Sequence, residues 1–136
     1  MERKALNMKL KNLLISLLGL SLFSFSSCSK AVNSVTNISP KDALELLKGN
    51  SKAVLIDVRT PEEHKSLRIP GSVLIPDYEI KEKIEDTVPD KDTTIIVYCR
   101  SGNRSSSAAK TLMQMGYNKV LNLGGIINWP YDTEGD

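Results

Sequence analysis

Between residues 38 and 130 the apolar positions switch back and forth between two spacings. Ala43, Leu44, Leu46 and Leu47 recur at helical intervals behind Ser39-Pro40, an N-cap and first-turn signature, and Gly49 stops the helix they predict. The next run, residues 53–58, is apolar without alternation until Asp57, which is the pattern of a strand buried on both faces. Thr60-Pro61-Glu62-Glu63 opens a short helical turn, residues 72–75 make a brief strand, and a charged helical stretch runs over 78–86. Residues 94–98 form a strongly β-branched strand that ends at Cys99. Ala108, Ala109, Leu112, Met113 and Met115 return to helical spacing over 104–115, with Gly116 as a left-handed cap, and 119–123 is the last strand. Strand and helix in alternation predict an α/β fold: an open, mostly parallel β-sheet with helices on both faces. Ligands of such sheets sit beyond the carboxyl ends of the strands, where this chain places Asp57-Val58-Arg59 and Cys99-Arg100.

The front of the chain follows a different rule. Arg3, Lys4, Lys9 and Lys11 precede an apolar stretch over 13–25 that is shorter than the ~20 residues a membrane-crossing helix needs, so residues 1–27 read as a secretory signal. Phe25-Ser26-Ser27-Cys28 resembles the cleavage box of bacterial lipoproteins, with Phe25 where Leu is usual, and it predicts lipidation of Cys28. Two or three acyl chains would anchor the protein to the bacterial cell envelope outside the cytoplasm, on either membrane. Residues 28–37 are small and polar and read as a flexible tether, which leaves 38–136 as the folded domain.

This division changes the meaning of the charge. The whole chain carries +2, but its basic excess lies in the signal, so the remainder is near neutral and nucleic acid is not an expected partner. It also changes the cysteine count. With Cys28 acylated, Cys99 is the one thiol left in a compartment where thiols usually pair; a Cys28–Cys99 disulfide is the competing arrangement.

Cys99-Arg100-Ser101-Gly102-Asn103-Arg104-Ser105 joins a buried strand to a helix start. Gly102 and Asn103 tolerate unusual backbone angles, so several N–H groups can turn toward one point and form an anion nest. The helix N-terminus, Arg100 and Arg104 add positive charge, and a thiol held there is expected to ionise near neutral pH. An inert buried cysteine would instead have apolar neighbours.

Four stretches in order carry a resemblance: residues 55–63 (Leu-Ile-Asp-Val-Arg-Thr-Pro-Glu-Glu), Ile69-Pro70-Gly71, Tyr98 through Ser105, and Leu123-Gly124-Gly125 ahead of Trp129. Residues 38–130 resemble a single-domain rhodanese. Arg68 departs from the His common before the Ile-Pro-Gly step. The resemblance implies sulfur transfer: Cys99 would take a sulfane sulfur from thiosulfate or a persulfide donor, hold it as a covalent persulfide, and yield it to cyanide, a thiol or a protein acceptor, with no cofactor.

Around this loop, Asp57 is expected either to support the loop through its backbone or Arg104, or to cap the next turn. Arg59 and Glu63, four apart, suggest an ion pair, and Arg59 joins Asp57 as a supporting residue. His64 reads as exposed surface rather than as a general base, and no metal is expected because no other His or Cys stands nearby. Trp129, Ile126 and Ile127 are expected to pack the last turn over the sheet, and Gly124-Gly125 to bend close to the site. A phosphatase or arsenate reductase loop is the rival chemistry. It has five residues between cysteine and arginine, whereas four separate Cys99 from Arg104 and Ser105 stands at the arginine position. A redox sensor or a relay that passes sulfur to one protein partner would use the same loop.

Overall fold

A computed structural model describes residues 34–50 and 52–136. In chain order it contains β1 (Thr36–Asn37), α1 (Pro40–Gly49), β2 (Val54–Asp57), α2 (Pro61–Ser66), β3 (Val73–Leu74), a 3₁₀ turn (Asp77–Glu79), α3 (Ile80–Thr87), β4 (Thr94–Cys99), α4 (Asn103–Gln114), β5 (Lys119–Gly125) and a second 3₁₀ turn (Ile126–Asn128). The strands form one sheet in the order β1-β5-β4-β2-β3, and every pairing is parallel. Cys28 and the segment read as a signal lie outside the described residues. Among the described residues no helix is long and apolar enough to cross a membrane.

Capping chemistry begins the first two helices. The Ser39 hydroxyl accepts from the Asp42 N–H with Pro40 behind it, and Thr60 and Glu63 form a reciprocal capping box at the start of α2. The pleat of the central strands then divides the core in two. Ile56, Val58, Ile95, Val97 and Cys99 face α3 and α4, packing with Ile80, Ile84, Ala108, Ala109 and Leu112. Leu55, Ile96 and Tyr98 face the other way, against Ala43, Leu46 and Leu47 of α1, with Ile69, Ile126 and Trp129.

The tether boundary needs correction at its last two residues. Thr36 and Asn37 pair in parallel with Leu121 and Asn122, and Asn122 donates through Nδ2 to Asn37 Oδ1 at 3.0 Å. Their polarity misled because an edge strand needs few apolar side chains when its backbone and one amide supply the pairing. Ile127 also departs from expectation: Ile126 and Trp129 pack on the sheet, but Ile127 is 66 % exposed.

Candidate active site

Cys99 ends β4 in a position set by the neighbouring strand. Between Val97 and Tyr98 the register of β4 on β5 slips, so that Asn122 pairs with Val97 but Gly124 pairs with Tyr98 and Gly125 with Cys99. The Asn122 side chain accepts the Gly124 N–H at 3.1 Å inside this bulge, and Gly124 takes φ +86°. Beyond it, Gly125 passes so close to the cysteine loop that a Cβ there would stand 2.4 Å from the Arg100 carbonyl oxygen and 2.8 Å from Ser101 Cα. The close bend expected at Gly124-Gly125 is thus a backbone-on-backbone contact that only glycine permits.

The loop folds back on the sulfur. Gly102 adopts φ +110° and donates its N–H to Cys99 Sγ at 3.0 Å. Asn103, expected to share an unusual backbone angle, instead opens α4 as an ordinary helical residue. Ser105, buried in the first turn of α4, has its hydroxyl 3.5 Å from Sγ and within reach of the Gly102 and Gly124 carbonyls. Burial pushes the Cys99 thiol up, but the Ser105 hydroxyl and the backbone N–H groups of Ser105, Gly102 and Ser101 outweigh it, so the thiol titrates below its ordinary value. Cys99 is buried and makes no disulfide among the described residues.

The charged residues sort differently from the expectation. Asp57 does not reach the loop or Arg104. Because Asp57 is the register partner of Tyr98, pleating puts its carboxylate on the α1 side of the sheet and Cys99 on the other. There the fully buried carboxylate receives Arg59 Nε and Nη2, the Arg59 backbone N–H at 2.9 Å, the Tyr98 hydroxyl at 2.8 Å and faces His64 Nδ1 at 3.0 Å. Burial opposes its charge, and the bonds from Arg59, His64 and Tyr98 still hold it below the usual carboxylate range. The capping alternative therefore describes Asp57 better than the loop-tuning one. His64 is a half-buried member of this cluster, not a surface residue.

Arg59 spends its guanidinium on Asp57 and on the Leu67 carbonyl at 2.6 Å, so the Arg59–Glu63 pair does not form. Glu63 turns to the cysteine loop instead, and both its oxygens accept from Arg104, at 2.8 and 2.9 Å. This contact spans 41 positions in the chain, which local spacing could not reveal. Arg68, where a His was expected, pairs with Glu134 and Asp136 and ties down the C-terminal segment. Its own bond to Glu134 runs through both backbones as well as through the side chain. Arg100 is exposed and enters no ion pair among the described residues. Among those residues no three His, Cys, Asp or Glu side chains converge as a metal site requires.

Residues 39–130 match the rhodanese-like domain family. The chain belongs to that family. It is 45 % identical over 71 residues to the thiosulfate sulfurtransferase PspE of Escherichia coli, a match covering 52 % of this chain and 68 % of that protein. A sulfurtransferase of Allochromatium vinosum is 38 % identical over 96 residues, covering 70 % of this chain and 88 % of the relative. Among solved structures, a rhodanese with anions from E. coli superposes with a TM-score of 0.59 at 38 % identity, over 62 % of this chain and 99 % of that one. Sulfurtransferase activity, in general terms, follows for this rhodanese-like chain, and the parallel five-stranded sheet flanked by helices is the fold expected from its sequence.

Proposed function

We propose that this protein moves sulfane sulfur through a persulfide on Cys99. The observation that carries the reading is the sulfur itself, buried at the end of β4 with the Gly102 N–H 3.0 Å away and a hydroxyl beside it. A thiolate so held is a nucleophile by environment. With thiosulfate as donor, the Cys99 thiolate attacks the outer sulfur, a Cys99 S–S bond forms as the donor's S–S bond breaks, and sulfite leaves with the electron pair. Cyanide or a thiolate then attacks the outer sulfur of the persulfide, and the Cys99 thiolate departs restored. The N–H groups of residues 101–105 would stabilise the anion in both states, while the exposed Arg100 would draw in the anionic donor.

Intact-mass measurement after exposure to thiosulfate tests this. One added sulfur, removed by cyanide or by reduction and absent from Cys99→Ser, is expected; an unchanged mass, or full turnover by Cys99→Ser, would refute it. Hydrolysis of an aryl phosphate without any persulfide would favour the phosphatase chemistry.

A relay that hands sulfur to a protein is favoured by one observation. Ile127 is exposed while its backbone N–H bonds the Arg100 carbonyl, which puts an uncovered apolar side chain beside the loop. Slow turnover with cyanide and small thiols, against fast loading from the donor, would mark that version. For the N-terminus we propose acylation of Cys28 and an extracytoplasmic, membrane-tethered domain, on the strength of the basic, apolar and small-residue pattern before it. Metabolic labelling with a fatty acid that is lost in Cys28→Ala is the test.

A further inference from the structure

Sulfane donors differ in charge. Thiosulfate is a dianion, whereas the persulfide of a neutral thiol carries at most one negative charge, so the charge at the mouth of the Cys99 loop decides which of them approaches a thiolate most readily. The loop carries two arginines, and among the described residues one of them is without a carboxylate partner. Glu63 grips Arg104 through both oxygens, and Asp77 adds its negative charge to Arg104's surroundings. Arg104 is close enough to feel the Cys99 charge, and yet its own is cancelled. Arg59 is likewise neutralised by Asp57 on the far face of the sheet. Arg100 is the loop cation without a carboxylate among the described residues.

We propose that Glu63 is a specificity-determining residue: by neutralising Arg104 it leaves the cysteine loop a single uncompensated cation among the described residues and turns the site's preference from dianionic thiosulfate toward thiol persulfides. This rests on the reading of Cys99 as the sulfur carrier. In the favoured step the Cys99 thiolate attacks the terminal sulfur of R–S–SH. The Cys99 S–S bond forms, the donor's own S–S bond breaks, R–S⁻ leaves with the electron pair, and the proton stays on the transferred sulfur. No oxidant or reductant is consumed.

Glu63→Gln separates charge from shape. Glutamine keeps an oxygen for the Thr60 N–H of the capping box, so α2 retains its start while Arg104 regains a net charge. The measurement is the rate constant for adding one sulfur to Cys99, followed by quenched intact mass, with thiosulfate and with cysteine persulfide as donors. In Glu63→Gln the thiosulfate-to-persulfide ratio is expected to rise about threefold to tenfold, and the rise to shrink at high salt. Arg104→Gln should lower the ratio, and the double variant, neutral at both positions, should return it to within about twofold of the starting value. An unchanged ratio in Glu63→Gln with Cys99 still loading, or a raised ratio that persists in the double variant, would overturn the assignment of Glu63. Failure of both donors to load the unaltered protein would overturn the sulfur-carrier reading, and this inference with it.

Discussion

Asp57 and Tyr98 face each other across β2 and β4 as register partners, and the Tyr98 hydroxyl donates to Asp57 Oδ2 at 2.8 Å. The same hydroxyl accepts the Ile69 N–H at 3.1 Å and meets Ser72 Oγ at 3.0 Å. One buried phenol thus fastens the turn that follows α2 to the centre of the sheet. Burial, with the Asp57 carboxylate beside it, pushes its own ionisation up to about 12, so it remains a donor at any working pH.

Tyr98→Phe is therefore expected to destabilise the fold more than it impairs the chemistry. It strips Asp57 of a donor and leaves the buried Ile69 N–H without a partner, a loss of about 1–3 kcal/mol. Urea denaturation should show the drop. Because the phenol lies on the face opposite Cys99, the folded variant should still acquire one sulfur from its donor.

Ser105→Ala probes the sulfur's own surroundings. The Ser105 hydroxyl is foremost among the bonds that hold the Cys99 thiol below its ordinary value against the opposing effect of burial. Its removal should raise the titration, and alkylation by iodoacetamide at pH 7 should slow by roughly tenfold, the worth of one hydrogen bond to a charged atom. Since the folded thiol ionises more readily than the unfolded one, ionisation contributes stability in full above the unfolded value of 9.0, and that contribution fades as pH falls through the folded value. The alanine variant should lose part of this alkaline gain.

Residue spacing made the sheet, the helices and the cysteine loop legible, because each rests on local rules: the unbroken apolar run before Asp57, the Ser39-Pro40 start, and the glycine inside the loop. It could not show the Glu63–Arg104 contact, in which a residue of α2 crosses to α4, nor that pleating sends Asp57 and Cys99 to opposite faces. His64 looked solvated among charged neighbours, yet seven residues back stood the buried carboxylate that it meets. Thr36 and Asn37 looked like linker since composition says nothing of an open strand edge waiting at β5.

Gly125→Ala should be among the most damaging of small substitutions. The added methyl would press on the backbone of Arg100 and Ser101, which cannot swing aside as a side chain would. A loss of about 1–3 kcal/mol is expected, together with slower loading of Cys99 because the loop must shift. Gly49→Ala is the matched control: nothing lies within 4 Å of its Cβ position, and at the end of α1 it should raise stability by up to about 1 kcal/mol. Thermal melts of the two variants check both halves.

Acid should dismantle the Glu63–Arg104 pair within a defined window. The Arg104 guanidinium, helped by the Thr60 N–H and opposed by partial burial, holds the Glu63 carboxyl down from 4.5 to about 2. A depressed carboxyl contributes stability in full above its unfolded value, near 4.5, and loses it as pH falls toward 2. Since the pair is partly open to solvent, its worth is about 1 kcal/mol. The unaltered protein should accordingly be the more stable at pH 6, and its advantage over Glu63→Gln should vanish as denaturation is repeated from pH 4.5 down to 2. An advantage that stays constant across that range would mean that Glu63 acts through its shape and capping alone, with its charge contributing nothing to the fold.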